Sequence, residues 1–135
     1  EALAEKQAMI ADAGLEGYLT TQMCFDPGTI ADWLAARRAA GITLPCHLGV
    51  PGAIDPARLL SISLRLGVGV SARYLKKNRL SVLRLLSPRR YDPNKLVAPL
   101  SAVADQLDVA GIHCFTFNSV EATEVWRQKS LARLA

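Results

Sequence analysis

The sequence predicts an α/β fold, read as the C-terminal portion of an eight-stranded β/α (TIM) barrel with about three parallel strands, flanking helices and an extra helical insertion. Three observations carry that reading. Strand-like segments near 17–25, 44–49 and 111–117 alternate with helical patterns, which implies parallel strands joined by crossovers. Asp26-Pro27 and Asp55-Pro56 place a helix-start signal just after the first two segments. Three parallel strands are too few to bury both faces of a sheet, so the remaining strands are expected outside this sequence. A small, independent doubly wound domain is the alternative.

Residues 1–13 are rich in strong helix formers, and Gly14 suits the position after a helix end. Gly17-Tyr18-Leu19-Thr20-Thr21 begins a half-buried strand that runs to Phe25. Pro27 to Ala40 reads as a helix with Ile30, Trp33 and Leu34 on its buried face, Arg37 and Arg38 toward water, and Gly41 as terminator. Leu44 to Gly49 is the second strand, closed by the turn-rich Val50-Pro51-Gly52. A helix from Asp55 to Leu66 follows, carrying Leu59, Leu60 and Leu64. A helical insertion falls at about 68–92. Pro93 to Asp108 has the clearest amphipathic spacing, with Pro99 inside it as a kink. The third strand, Gly111 to Phe117, leads through Asn118-Ser119, either of them an N-cap candidate, into a last helix to Ala135. Residues 1–135 read as one partial barrel.

The chain has 135 residues, half of them apolar, and a net charge of +4. That is enough for one modest core and argues against disorder. Its apolar runs are too short to cross a bilayer, and its first residues read as a helix and not as a secretory signal. Glu1 opens inside a helical pattern, which reads as part of a longer polypeptide. Cys24, Cys46 and Cys114 all lie in strand-like segments without CxxC spacing. This predicts buried, reduced thiols, a cytoplasmic setting, and no zinc site or disulfide framework.

Strict alternation along the first strand puts Tyr18, Thr20, Gln22 and Cys24 on one face, and Leu19, Thr21, Met23 and Phe25 on the other. In a barrel the first set would point inward. His113, Phe115 and Phe117 would share the inward face of the third strand. An amide beside two aromatic rings suits a flat heteroaromatic ligand. The competing reading is that Gln22 satisfies backbone groups and both phenylalanines are core. His113 and His47 read as core histidines, and Asp26 and Asp55 as helix caps. Gly49-Val50-Pro51-Gly52 reads as a turn, not as a phosphate loop.

The segment Thr20-Thr21-Gln22-Met23-Cys24-Phe25-Asp26 resembles the strand motif of methylenetetrahydrofolate reductases. Asp12-Ala13-Gly14 before it, and the Leu48-Gly49-Val50 turn and His113-Cys114-Phe115-Thr116-Phe117-Asn118 after it, fall in that family's order. The resemblance covers nearly the whole chain but only the C-terminal half or so of the family's barrel. It implies a cytoplasmic TIM-barrel oxidoreductase that reduces 5,10-methylenetetrahydrofolate to 5-methyltetrahydrofolate with NADH or NADPH, in one-carbon metabolism and methionine biosynthesis. By matching position, it gives Gln22 a hydrogen bond to the substrate and sets Phe115 and Phe117 beside the folate. Ile62 stands where some members carry a stacking ring.

Two departures qualify this. The family's proton-donating glutamate and pterin-facing aspartate lie on strands outside this chain, so no catalytic residue is assigned here and the isolated piece is expected to be inactive. Most members use FAD, but the positions matching flavin-contacting basic residues are Met9, Ile10 and Ala11. FAD stays open but is disfavoured, and direct hydride transfer from the nicotinamide without flavin is the hypothesis this raises.

From Arg65 to Arg90 come eight bases and no acid (Arg65, Arg73, Lys76, Lys77, Arg79, Arg84, Arg89, Arg90). The plain reading is a solvated face; the functional one is attraction of a folate tail or a dinucleotide phosphate. Tyr74 is the one stacking ring in the run, which argues against nucleic acid. The implied partners are the folate substrate and the N-terminal part of the same barrel, with no membrane and with a homo-oligomer left open. Two other functions compete: a truncated, non-catalytic folate-binding scaffold, and a barrel reductase for another pterin carrier.

Overall fold

A computed structural model describes residues 2–55, Arg58, Ser61 and 92–133. Among them are three parallel strands, in order β1-β2-β3, and four helices. The elements are α1 (Ala2–Asp12), β1 (Leu19–Thr20), α2 (Pro27–Ala39), β2 (Cys46–Pro51), α3 (Asn94–Ser101), β3 (Val109–Phe115) and α4 (Val120–Leu131). The α/β class and the parallel sheet are as the sequence predicts, and the arrangement is compatible with part of a barrel. Ile62, the insertion at 68–92 and the basic run from Arg65 to Arg90 lie almost wholly outside the described residues.

One face of the sheet carries the main core. Cys46, Leu48 and Val50 of β2 pack against Ile30 and Leu34 of α2 and Leu96 and Leu100 of α3. β3 adds Ile112 and Cys114 to that side. The opposite face holds a smaller cluster at the strand ends, where Met23 and Ile54 are buried beneath Phe25, Phe115 and Phe117.

The helix ends follow the sequence signals. Gly14 and Gly41 end α1 and α2 with φ of 64° and 81°. Asp26 accepts from the N–H groups of Gly28 at 3.0 Å and Thr29 at 3.4 Å, and Pro27 opens α2. Asp26→Ala should lower stability by about 1 kcal/mol, measured by chemical denaturation, while Asp26→Ser should lose much less. Asp55 accepts from Arg58 N–H at 3.1 Å, as a helix-start residue does.

Several boundaries differ from expectation. α3 runs through Pro99 and ends at Ser101 instead of Asp108, where the bonds tighten to three-residue spacing, as in Val103 to Leu100. β2 continues through Val50 and Pro51, both buried, where the sequence suggested a turn; Pro51 is the last residue of the strand, in register with Phe115. β3 begins earlier, at Val109, and ends at Phe115, because Phe117 and Asn118 take left-handed φ of 47° and 64°. Ser119 occupies the N-cap position of α4 without a side-chain hydrogen bond.

Two side chains of α2 also depart from expectation. Trp33 is 40% exposed, one step off the buried stripe set by Ile30 and Leu34. Arg38 turns inward. Its guanidinium donates to the carbonyls of Ile42 and Leu44, each at 2.9 Å, Leu107 at 3.0 Å and Asp108 at 2.8 Å. It thereby joins the entries of β2 and β3 to the end of α2. Gln7 plays a similar part for α1, donating to Gly41 O at 3.0 Å and accepting from Thr43 N at 2.8 Å.

Candidate functional site

The predicted first strand is regular only over Leu19–Thr20, yet its bonds to β2 continue beyond. Leu19 N–H donates to Pro45 O at 2.8 Å and Thr21 N–H to His47 O at 3.0 Å. The next bond to β2 comes from Cys24 N–H to Gly49 O at 3.4 Å. Residue 23 would make that bond in an unbroken ladder, so one extra residue is accommodated between Thr21 and Cys24. Because side chains alternate, one extra residue exchanges the faces beyond it.

That exchange corrects the predicted facing. Leu19 stays with the helix-covered core, but Cys24 joins it there. Met23 and Phe25 cross to the opposite face, with Phe115 and Phe117. Met23 is 3% exposed and becomes the floor of the site. Gln22 is exposed, with its Oε1 accepting from Met23 N–H at 2.8 Å, so it does satisfy a backbone group.

Phe115 and Phe117 are brought together, with ring centroids 6.2 Å apart and planes 25° from parallel. His113 meets the edge of this pair, 4.8 Å from Phe115 at 73°. The wall reaches the Gln22 segment through Gly49. A Cβ placed on Gly49 would lie 2.9 Å from Phe115 Cε2 and 3.0 Å from Gln22 C, so ring and backbone close in on the same α-carbon. The Phe115–Phe117 pair lies at the carboxyl end of β3 and the Gln22 backbone just past β1, on either side of β2, at the end of the sheet where open α/β sheets and barrels present ligands; the Gln22 side chain lines a cleft along the outer edge of β1. Ile62 lies outside the described residues.

Sequence reasoning missed Thr21, Gly49, Met23 and Ile54. A glycine between Leu48 and Val50, inside a strand, was the available signal of close backbone approach. The histidines are not the core residues expected. His113 is exposed, while His47 is half-buried against Tyr18, ring centroids 5.4 Å apart, with Nδ1 buried and lacking a hydrogen-bond partner. All three cysteines are free, and burial pushes the Cys46 and Cys114 thiols above their ordinary pKa. Both should resist alkylation in the native protein and react once it is denatured, as followed by mass spectrometry with iodoacetamide.

A cleft of about 440 Å³ opens along the outer edge of β1, walled by Leu3, Leu19, Gln22, Ile30 and Trp33. No helix among the described residues is long and apolar enough to cross a membrane. No protein-family model matches the chain.

Proposed function

We propose that the chain is the C-terminal part of a β/α-barrel oxidoreductase of the methylenetetrahydrofolate reductase type, reducing 5,10-methylenetetrahydrofolate with NADH or NADPH. The observation that supports it best is the near-parallel Phe115–Phe117 pair at the carboxyl end of β3, with the Gln22 backbone close to Phe115 across Gly49. Near-parallel rings offer a face to a pterin, and the Gln22 amide, whose NH2 is a donor, offers its edge a hydrogen bond. The cleft beside β1 is where the preceding barrel strand would seat, supplied by the N-terminal part of the same barrel.

In this reading hydride passes from the nicotinamide to the methylene carbon of the folate iminium and becomes part of the N5-methyl group. The proton that accompanies opening of the five-membered ring comes from an acid outside this chain. Asp26 is an unsuitable acid, since its carboxylate oxygens accept from Gly28 N–H, Thr29 N–H and the Thr29 hydroxyl. The same fact favours a second reading, a non-catalytic folate-binding scaffold.

The residues present do not fit FAD. Met9, Ile10 and Ala11 stand uncharged on α1, Met9 69% exposed, so a flavin diphosphate would find no charge-assisted partner among them. The full-length protein should oxidise NADH or NADPH with 5,10-methylenetetrahydrofolate, form 5-methyltetrahydrofolate and show no flavin absorbance after purification. Stoichiometric flavin bands would remove the flavin-free route; folate binding without turnover would leave the scaffold reading.

A further inference from the structure

We propose that Thr21 is a positioning residue whose hydroxyl replaces its own main-chain carbonyl in the sheet ladder and thereby sets where Gln22 and Met23 point. In a regular parallel pair, the carbonyl of Thr21 would accept the N–H of Gly49. Instead Gly49 N–H donates to Thr21 Oγ1 at 2.8 Å. The displaced Thr21 carbonyl is swung over the face of Gly49, only 2.3 Å from where a Cβ would stand. The ladder resumes one residue late, at Cys24.

The residues between are those of the candidate site. Gln22 and Met23 form the extra stretch, closed on itself by the bond from Met23 N–H to Gln22 Oε1 at 2.8 Å. This irregularity carries Met23 to the Phe115 side and holds the Gln22 side chain back along its own backbone. Bulges of this kind re-aim side chains beside functional sites. The substitution requires an acceptor on Cβ and open space on the facing residue, which Thr21 and Gly49 supply. Valine has the shape of threonine without the acceptor and would leave the Gly49 N–H unpaired. The bearing of this device on ligand rests on the pterin reading; the positioning of Gln22 does not.

The test compares Thr21→Val with Thr21→Ser in the full-length protein, by amide hydrogen exchange and by titration with folinic acid, a stable reduced folate. Thr21→Ala makes the same comparison if the valine variant fails to fold. Protection of the Gly49 and Met23 amides should fall about tenfold or more in the valine variant and stay within about threefold of wild type in the serine variant, with Leu48 unchanged. Folinic acid should weaken about tenfold with valine and recover with serine. Unchanged Met23 protection in the valine variant would overturn the proposal. So would Leu48 losing protection in step, which marks general loosening, or serine failing to restore Met23. A wild-type protein that does not bind folinic acid would refute the pterin reading alone, and the exchange data would still decide Thr21.

Discussion

Gly49→Ala should be the most damaging single-methyl change in the described residues. The added Cβ would stand 2.3 Å from the Thr21 carbonyl oxygen, 3.0 Å from Gln22 C and 2.9 Å from the Phe115 ring. Two of those neighbours are backbone, so neither can swing aside as a flexible side-chain tip does. Relief requires β1 and β2 to separate, which breaks the Gly49–Thr21 hydrogen bond and lifts Phe115 off the strand. The expected loss is about 3 kcal/mol or more in chemical denaturation. Two other glycines serve as controls. Gly28→Ala meets only an Asp26 carboxylate oxygen at 3.3 Å and should be mild. Gly41→Ala has open space but a φ of +81° and should cost about 1 to 2 kcal/mol from backbone conformation alone. A Gly49→Ala variant as stable as Gly28→Ala would mean that β1 does not approach β2 as closely as described.

Arg38→Met should cost about 3 kcal/mol, although Arg38 lies on a helix flank that the sequence pattern assigns to water. The substitution keeps an unbranched apolar stem and removes the guanidinium. The carbonyls of Ile42, Leu44 and Leu107, all at part-buried contacts, then lose their donor together. The ion pair with Asp108, at 3.8 Å and with the Asp108 side chain 83% exposed, should contribute little. Asp108→Asn therefore separates the two effects: it should leave stability nearly unchanged, because Arg38 binds the main-chain carbonyl at that residue. Arg38→Lys should recover only part of the loss, since one ammonium cannot serve four carbonyls in a fixed fork. An Arg38→Met variant of wild-type stability would show that the carbonyls find water instead.

The contrast between these two residues explains what the sequence revealed. Helix starts and stops were legible because they depend on local chemistry: Asp26-Pro27 capped α2 as read, and Gly14 and Gly41 took the left-handed conformations their positions required. The parallel α/β order was legible because strand composition and helix periodicity alternate. Long-range choices were hidden. Arg38 bonds to residues up to 70 positions away, and nothing in the local pattern around it signals inward rotation. The faces of residues 22–25 were misread for a related reason. Strict alternation assumes an unbroken ladder, and the break comes from a hydroxyl on one strand meeting a glycine on the next. Phe115 and Phe117 were paired correctly, but by an unforeseen route. Phe117 has left the strand, and its left-handed turn returns the ring beside Phe115.

The face exchange also sharpens the chemistry proposed for Gln22. Its carbonyl oxygen already accepts from Met23 N–H and keeps one further lone pair, while both N–H donors of the amide remain to be offered to a ligand. On the proposed reading it would orient a pterin by hydrogen bonding to the ring edge, and an amide is no source for the proton that such a reduction consumes.

On the proposed function, Gln22 and the Phe115–Phe117 wall would form the pterin-binding half of an active site. Titration of the full-length protein with folinic acid, comparing wild type with Gln22→Ala and Phe115→Leu, tests it most directly. Wild type should bind saturably, and either substitution should weaken binding about tenfold, with thermal stability measured alongside to exclude unfolding. No binding by the wild-type protein, or binding that neither substitution changes, would contradict it.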